Sequence, residues 1–264
     1  LEVILISMKD GRTIRSVTPG FPVKYDGIDV KFNPTDGISF TWDNSGEKIF
    51  FFARKEYENY LVVFNVLTSK MEQMIKLKNI QAPASPDYHP ENGKLYFTGI
   101  DNFVGSIFSY DFKSGKTEKL THSKLYIKSL NISPDGKKFI YSAKAPFAHY
   151  NLYMAPIDAL DTPQMLTNSD FDDITPSFST DGKSIFYSSN ELESYNVYKI
   201  DLANQTRFRL TNVKTGNFFP LEIPGEEKQI AFTSFYKGVF YLYKKNSEDY
   251  LSRDDLQFSM LDKK

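Results

Sequence analysis

A chain of 264 residues, 41% hydrophobic and 25% charged, has an ordinary globular composition and suits one large domain or two small ones. Its 32 basic and 33 acidic residues give a formal net charge of −1, which argues against a general nucleic-acid-binding surface or a basic membrane-binding face. The absence of cysteine excludes disulfide frameworks, cysteine-ligated zinc and cysteine nucleophiles. The aromatic content of 16% favours β-strands and a mainly β protein.

The hydropathy pattern and the first residues say little about location. No apolar run approaches the roughly 18 residues of a transmembrane helix, so we expect no direct membrane insertion. The start, LEVILISMKDG, lacks an initiator methionine and the features of a signal peptide, so we expect a mature or excised piece of a longer product. Zero cysteine is compatible with an oxidising compartment and also with the cytosol.

The first predicted element is a hairpin whose pattern returns further along the chain. The segment VILISMKDGRTIRSVT (3–18) aligns with IFSYDFKSGKTEKLT (107–121) and VYKIDLANQTRFRLT (197–211). Each segment pairs an apolar strand with a short polar turn and a second strand that ends in Leu-Thr or Val-Thr. Gly11 and Gly115 supply the positive φ that tight hairpin turns require.

A second motif recurs between these hairpins. Its copies are TWDNSGEKIFFFA (41–53), SPDYHPENGKLYFTG (85–99), NISPDGKKFIYSA (131–143), SFSTDGKSIFYSS (177–189) and the degraded EIPGEEKQIAFTS (222–234). The turn glycines Gly46, Gly93, Gly136, Gly182 and Gly225 are 43 to 47 residues apart. This period is typical of a propeller blade of four antiparallel strands.

The second strand of each unit carries apolar residues on both faces. In the first copy, Ile49 and Phe51 share one face and Phe50 points to the other, and the later copies repeat this arrangement. A sheet with one solvated face would alternate apolar and polar residues instead. Burial on both sides is what a blade between two neighbouring blades requires. We therefore interpret the aromatic excess as packing between blades rather than as a ligand cage.

The sequence thus predicts an all-β fold, a β-propeller of about five to six four-stranded antiparallel blades in which the N-terminal blade is represented by one half. The single domain 1–264 divides into a half-blade at 1–18, blades at 40–77, 83–121, 129–167, 175–211 and 219–245, and a tail at 246–264. Leu256, Phe258 and Met260 alternate in the tail as they would in a strand. Either this strand closes the N-terminal half-blade or the chain is cut from a longer propeller, and we favour the cut.

The repeat unit resembles that of a known family. A turn such as Ser133-Pro134-Asp135-Gly136, followed by an NLY or NVY strand and a Leu-Thr ending, resembles the WD40-like repeat of TolB-type propellers, which also occurs in tricorn-like and prolyl-oligopeptidase-like propeller domains. The resemblance runs from Val3 to about Lys245, and residues 172–176 (DDITP) match its inter-blade linker. No Trp-Asp dipeptide ends the repeats, so the eukaryotic WD type fits less well. The resemblance implies a bacterial periplasmic or cell-envelope location.

A looser resemblance concerns the wider architecture. FFARKEYENYL, the linked units and the closing FTSFYKGVFYLY are similar to large bacterial envelope proteins in which a propeller follows an N-terminal metallopeptidase-like domain. This resemblance implies that a peptidase-like domain lies elsewhere in the same polypeptide.

Catalytic motifs are missing from the chain. His89, His122 and His149 occupy non-equivalent positions without HExxH or metal-ligand spacing, and we expect each to lie in a surface loop. There is no GxSxG elbow and no phosphate-binding glycine loop. We therefore predict no enzyme activity, no metal and no cofactor for this chain, and leave the activity of a full-length protein open.

The densest acidic feature is formed by Asp170, Asp172 and Asp173. It has two interpretations: a contact for a cation or a basic peptide, or a linker whose carboxylates accept backbone N–H groups and fix the entry of the chain into the next blade. The resemblance favours the linker.

These observations favour a non-enzymatic scaffold that presents its inter-blade loops to a protein partner or to other domains of the same polypeptide, with no nucleic acid bound. The candidate contact residues are Phe103, Tyr126, Phe147, Asp172, Asp173 and Phe218. The alternative is an accessory propeller that gates or positions substrate for a larger peptidase or hydrolase, which the upstream coding sequence would reveal. A less favoured hypothesis is a sugar-processing enzyme that uses channel carboxylates such as Asp172.

Overall fold

The structure, a computed structural model, describes residues 4–7, 9–16, 29–30, 39–122, 124–225 and 228–251. Every regular element in these ranges is a β-strand, and each strand pairs antiparallel with its neighbours. The predicted strand at Leu256–Met260 lies outside the described residues.

The strands follow one another in chain order and are numbered here from the N-terminus. They are β1 (Ile4–Ile6), β2 (Thr13–Ser16), β3 (Asp29–Val30), β4 (Phe40–Trp42), β5 (Lys48–Lys55), β6 (Glu58–Asn65), β7 (Lys70–Lys76), β8 (Gln81–His89), β9 (Lys94–Asp101), β10 (Val104–Asp111), β11 (Lys116–Lys119), β12 (Tyr126–Ile132), β13 (Lys138–Lys144), β14 (Asn151–Pro156), β15 (Gln164–Met165), β16 (Asp173–Phe178), β17 (Ser184–Ser189), β18 (Asn196–Asp201), β19 (Arg207–Arg209), β20 (Asn217–Glu222), β21 (Gln229–Tyr236) and β22 (Val239–Asn246).

Of the described strands, β3 to β22 form five blades of a β-propeller. In the first blade, β3 and β4 both pair with β5, which is followed by β6 and β7. The second, third and fourth blades are the four-stranded sheets β8–β11, β12–β15 and β16–β19, and the described strands of the fifth blade are β20, β21 and β22. Strands β1 and β2 form a separate two-stranded sheet. The predicted all-β propeller fold is confirmed.

The second strand of a blade is buried on both faces, as the sequence predicted. Strand β13 shows the arrangement: Phe139 and Tyr141 pack with Tyr96 of the second blade, whereas Ile140 packs with Ile185 of the fourth blade. The same alternation divides the residues of β5, β9 and β17 between the cores on either side of them. The aromatic excess of the sequence therefore fills the space between blades.

In the second, third and fourth blades, the Leu-Thr dipeptide after the fourth, outer strand forms hydrogen bonds to the third strand. In the fourth blade the N–H of Leu210 donates to the carbonyl of Val197 (2.8 Å), and the N–H of Val197 donates to the Thr211 hydroxyl (2.9 Å). The hydroxyl thus satisfies a buried backbone donor at the point where the strand ladder ends. The equivalent groups in the second and third blades are Leu120, Thr121 and Ile107, and Leu166, Thr167 and Leu152.

Hydrogen bonds join the first, innermost strands of neighbouring blades. The Ser85 hydroxyl accepts the N–H of Leu130 (2.7 Å) and donates to its carbonyl (2.9 Å), which ties the second blade to the third. The Ser129 hydroxyl accepts the N–H of Thr175 (3.1 Å) and ties the third blade to the fourth. The Ser177 hydroxyl donates to the carbonyl of Pro220 (2.6 Å) and ties the fourth blade to the fifth.

Each of these inner strands also contains a non-glycine residue with left-handed backbone. The residues are Ser85 (φ 50°), Ser129 (φ 23°), Thr175 (φ 51°) and Phe219 (φ 54°). The strand register shifts at or beside each of them, so each marks a β-bulge. The four residues line one narrow space where the inner strands meet.

A partly buried carboxylate adds a second link between the second and third blades. Asp87 Oδ2 accepts hydrogen bonds from Asn131 Nδ2 (2.9 Å) and from the N–H of Ile132 (2.7 Å). Asn131 Oδ1 in turn accepts the N–H of Phe178 in the fourth blade (2.9 Å). Burial raises the pKa of Asp87 to about 6, although the hydrogen bonds from Ile132 and Asn131 oppose the rise.

The prediction of a surface position was wrong for His89 and correct for His122 and His149, which are exposed. His89 is only 5% exposed, and its Nε2 lies 2.8 Å from the carbonyl oxygen of Gly136 in the next blade. The side chain occupies space that a Cβ on Gly136 would need, since such an atom would lie 2.5 Å from His89 Nε2. The buried position therefore arises from packing between blades.

The residues after the last strand return to the fourth blade. The N–H of Leu251 donates to the carbonyl of Arg209 (2.9 Å), and the Tyr250 ring stacks on Phe208 at 4.3 Å between ring centres. Tyr250 and Leu251 therefore contact the outer strand of the fourth blade.

The hydrogen bond of Thr211 can be tested by substitution. Thr211→Val keeps the shape of the side chain but leaves the N–H of Val197 without an acceptor, so we expect the free energy of unfolding to fall by about 1–3 kcal/mol in urea denaturation. Thr211→Ser, which keeps the hydroxyl, is the control and should lose clearly less. Equal losses in both variants would show that methyl packing, not the hydrogen bond, matters here.

The partly buried Asp87 predicts a pH dependence of stability. Because its pKa is raised in the folded state, the native protein binds more protons than the unfolded chain between about pH 4 and pH 6, and the contribution of this group to stability falls as pH rises through that range. Asp87→Asn keeps an oxygen acceptor and removes the charge. Urea denaturation at pH 4.5 and pH 7 should therefore show wild type losing stability relative to Asp87→Asn at the higher pH, and a constant difference would contradict the prediction.

Candidate functional site

One face of the propeller gathers all of the predicted contact residues. The strand register places Tyr126 opposite Lys144, Asp173 opposite Ser189 and Asn217 opposite Ser234, so the inner strands begin where the second strands end. The loops that connect the second strand of each blade to the third strand lie at this same end of the blade. We call this surface the loop face; it comprises residues 56–57, 102–103, 145–150, 190–195 and 237–238 and the starts of the inner strands at 126, 172–173 and 217–218.

Three aromatic side chains project from the loop face on successive blades. Tyr57, Phe103 and Phe147 lie in the connections of the first, second and third blades and are 89%, 85% and 106% exposed. All three have left-handed backbone, with φ of 68°, 66° and 64°. Glycine and asparagine are preferred at such positions, because a bulky side chain there costs conformational energy. These three aromatic residues therefore have a strained backbone conformation that burial of their side chains does not offset.

Tyr57 was not among the residues predicted from the sequence. Glu56 and Tyr57 form a two-residue turn with the same positive φ angles as Asn102 and Phe103. Aligning the strand ends of the first two blades would have placed Tyr57 opposite Phe103.

Asp172 fixes the entry of the chain into the fourth blade. Its Oδ1 accepts the N–H of Tyr150 (2.9 Å) and lies 3.5 Å from His149 Nδ1, and its own N–H donates to Asn190 Oδ1 (2.7 Å). These bonds match the linker interpretation of the acidic cluster. The hydroxyl of Tyr195 lies 3.5 Å from Asp172 Oδ2, and burial, followed by the Asp172 charge, raises the pKa of Tyr195 to about 12.

Asp173 lies wholly below the surface in an ionic network. Its Oδ2 accepts the Ser169 hydroxyl (2.9 Å), and its Oδ1 lies 3.9 Å from the guanidinium of Arg207, which also contacts Glu191 (3.1 Å). Arg207 covers the ring of Tyr198, 4.6 Å from its centre. Burial raises the pKa of Asp173 despite its hydrogen bonds and the nearby Arg207. Asp173 therefore supports the loop face from beneath and is not available for direct contact.

Phe218 is also a supporting residue. It is 8% exposed, and its ring lies 5.1 Å from the ring centre of Tyr195 and 6.3 Å from that of Phe240. Its position at the start of an inner strand turns it into the space between the fourth and fifth blades. Of the six residues predicted to make contact, Phe103, Phe147 and Tyr126 are exposed and Asp172 is partly exposed, whereas Asp173 and Phe218 are buried.

The described residues contain no group of three or more histidine, cysteine, aspartate or glutamate side chains arranged to hold a metal ion. Across the same residues, there is no helix of the length and apolarity needed to span a membrane.

The fold is a β-propeller, and solved TolB structures are similar to it at the level of the fold. TolB from Acinetobacter baumannii superposes with a TM-score of 0.72 at 16% identity over 94% of this chain and 57% of that protein. A putative TolB from Agrobacterium tumefaciens gives 0.64 at 16% identity over 83% of this chain and 80% of that one. A puromycin hydrolase variant superposes with a TM-score of 0.57 at 14% identity, over 80% of this chain and 37% of that one.

Sequence comparison is less informative. No family model matches the chain. A curated relative, uncharacterized protein Atu1656 of Agrobacterium fabrum, is 27% identical over 108 residues, which are 41% of this chain and 36% of that protein. The match thus spans little more than a third of the relative, and 57% of the first TolB structure is covered.

The ionic network beneath the loop face can be tested through Arg207. Arg207→Met keeps the aliphatic stem over the rings but leaves the buried carboxylate of Asp173 without its nearby cation, so we expect a loss of about 2–4 kcal/mol in the free energy of unfolding at pH 7. The loss should be smaller at pH 4.5, where Asp173 protonates more readily.

The matched control is the double variant Asp173→Asn/Arg207→Met, in which the buried charge is also removed. We expect the double variant to be more stable than Arg207→Met alone at pH 7 in the same urea titration. A double variant that loses the sum of the two single losses would show that Asp173 and Arg207 do not interact.

Proposed function

We propose that this propeller is a non-enzymatic protein-interaction scaffold whose loop face binds a partner protein or another domain of the same polypeptide. The observation that carries the proposal is the row of exposed aromatic residues at Tyr57, Phe103 and Phe147. Each is held at a backbone conformation that disfavours it, on successive blades of a rigid frame. Aromatic residues of this kind are typical anchors of protein interfaces.

The loop face also contains the half-exposed groups that a specific interface needs around such anchors. Tyr126 is exposed and Asp172 is partly exposed on this face, and Asp172 contacts Tyr150 of the third blade and Tyr195 of the fourth. Hydroxyl and carboxylate groups at the rim supply orientation, while the aromatic residues supply contact area. The resemblance to TolB-type propellers supports a location in the bacterial periplasm or cell envelope, which is part of the proposal.

A second function is an accessory role in a larger hydrolase, in which the propeller gates or positions a substrate. The similarity to a puromycin hydrolase structure, of which this chain covers 37%, favours this candidate. The coding sequence upstream of residue 1 distinguishes the two, because a peptidase or hydrolase domain encoded there would support the accessory role.

The scaffold function can be tested by site-specific photo-crosslinking in the source cells. A benzoylphenylalanine placed at position 103 or 147 should crosslink to another protein, or to another domain of the same polypeptide, because the side chain would lie inside the interface. Position 67, an exposed leucine in a turn of the opposite face, is the control and should give no such product. Absence of crosslinks at both loop-face positions, or equal crosslinking at position 67, would contradict the proposal.

Substitution of Phe103 and Phe147 separates an effect on partner binding from an effect on the stability of the fold. Phe103→Gly and Phe147→Gly remove the side chain from a left-handed position that glycine adopts freely, so the melting temperature should stay constant or rise. Association with the crosslinked partner should weaken at least about tenfold for each variant, as truncation of an anchor residue does. Unchanged association would show that these aromatic residues do not contact the partner.

A further inference from the structure

A cleft separates the fourth and fifth blades on the face opposite the loop face. Its volume is about 490 Å³, which lies within the roughly 300–1,000 Å³ that is usual for small-molecule sites. Ser184 and Lys199 line it from the fourth blade, and Glu222 and Ser247 line it from the fifth. We call the site formed by these four residues the polar cleft.

The neighbouring cleft, between the third and fourth blades, shows that the same positions can hold apolar residues. It has a volume of about 360 Å³, and three of its lining residues are Met154, Phe178 and Leu202. At the equivalent positions of the polar cleft, the residues are Lys199, Glu222 and Ser247. Because the repeat accommodates apolar residues there, packing between blades does not require the polar ones.

Strand position and hydrogen bonding establish this equivalence. Met154 and Lys199 are the fourth residues of β14 and β18, the third strands of their blades. Leu202 and Ser247 each follow a third strand directly, and each donates its N–H to the carbonyl of the lysine that precedes the second strand (2.9 and 2.7 Å). The remaining pair ends the inner strands β16 and β20. The two clefts therefore differ in side-chain chemistry at matched positions of the same fold.

Lys199 lies in the polar cleft without a carboxylate partner among the residues that the structure describes. Its Nζ donates to the Tyr250 hydroxyl (3.2 Å) and lies 5.6 Å from the centre of the Tyr250 ring and 5.9 Å from that of Phe186. The two rings attract the ammonium group through their π-faces. Because an ammonium group has three donors, the bond to Tyr250 leaves donors for a ligand.

Glu222 supplies an acceptor from the fifth blade. Its Oε2 accepts the N–H (2.6 Å) and the hydroxyl (2.7 Å) of Thr180, and these bonds orient the carboxylate across the space between the blades. A carboxylate has a second acceptor oxygen, so Oε1 can accept from a ligand. Glu248, which also lines the cleft, pairs with Lys228 (2.9 Å). The polar cleft thus offers an oriented donor and an oriented acceptor from different blades.

These groups match a ligand that carries several hydroxyls and no charge. A lysine only donates and a carboxylate only accepts, whereas a hydroxyl does both. Hydrogen bonds to ionised groups are about twice as strong as those between neutral groups, and a neutral ligand gains them without losing the hydration of a charge of its own. A ligand of either charge would meet a like charge in the cleft, because Lys199 and Glu222 both line it.

We propose that the polar cleft binds a neutral saccharide, whose hydroxyls accept from Lys199 and donate to Glu222 and whose further hydroxyls contact Ser184 and Ser247. The volume suits one or two sugar rings. This site lies on the face opposite the loop face, so it adds a small-molecule binding function and does not depend on the proposed contact with a partner protein.

The test is isothermal titration calorimetry with neutral disaccharides and charged counterparts. The neutral probes are maltose, cellobiose, lactose, mannobiose and di-N-acetylchitobiose, and the charged probes are lactobionate, an anion, and chitobiose, a cation. We expect at least one neutral probe to bind with a Kd of about 1 mM or tighter, and both charged probes to bind more weakly than it does. No binding of any neutral probe at about 50 mM, or tighter binding of a charged probe than of every neutral one, would overturn the proposal.

Variants assign binding to the polar cleft. Lys199→Met introduces the residue of the neighbouring cleft and should lower the affinity for the bound disaccharide at least about tenfold, because it removes hydrogen bonds from a charged donor. Lys199→Arg keeps a cationic donor and should lose clearly less. Lys183→Met, which changes an exposed lysine of the adjacent turn, is the control and should bind as wild type does.

Melting curves show whether a variant keeps its fold. If Lys199→Met lowers the melting temperature, Glu222→Gln replaces it, because it keeps an oxygen for the N–H of Thr180 while removing the charge, and it should weaken binding several-fold. Equal affinities of the cleft variants and Lys183→Met would overturn the assignment to this cleft.

The two proposals fail separately. Crosslinks at positions 103 and 147 without binding of any disaccharide would leave the scaffold function in place and remove the saccharide site. Disaccharide binding that depends on Lys199, without crosslinks in cells, would support the saccharide site and contradict the scaffold function.

Discussion

Where a blade lies between two other blades, its second strand must bury both of its faces. The rest of the structure depends on this constraint. A strand such as β13 carries Phe139 and Tyr141 on one side and Ile140 on the other, so it is stable only between two neighbours. Large aromatic residues fill the space between blades that diverge from a common axis. The loops then need to contribute little to the core, which leaves their sequences available for contact with other molecules.

Near the propeller axis, strained backbone conformations and hydrogen bonds between blades occur at the same residues. Ser129 and Thr175 adopt left-handed backbone in adjacent inner strands, and the hydroxyl of the first accepts the N–H of the second. A backbone conformation of this kind costs on the order of 1 kcal/mol or more, and the structure retains it because the bulge directs a polar group to the neighbouring blade. These hydrogen bonds between blades fix the spacing of the blades. They therefore also fix the distance between the exposed aromatic residues of the loop face.

The sequence predicted those parts of the fold that depend on short-range spacing. The turn glycines, the Leu-Thr endings and the apolar residues on both faces of the second strands are each encoded within a dozen or so neighbouring residues. The features it did not predict depend on residues about one repeat apart. His89 is buried because the turn at Gly136 packs on it, and Asp173 because Arg207 reaches it across the blade. The bulge at Ser129 shifts the register of β12, so a simple alternation of faces along that strand does not hold. Tyr57 was not predicted, although its turn has the same positive φ angles as the turn of Phe103.

The loop face combines exposed aromatic residues that have strained backbone with a supporting layer of buried residues. The central claim is that this face, and not the opposite one, binds the partner. Amide hydrogen exchange of the propeller with and without its bound partner tests the claim most directly, because it reports on every backbone segment at once. The account predicts slower exchange at 101–104, 145–150 and 190–195, with unchanged exchange in the opposite turns at 133–137 and 179–183. Protection of those opposite turns, with no change on the loop face, would contradict it.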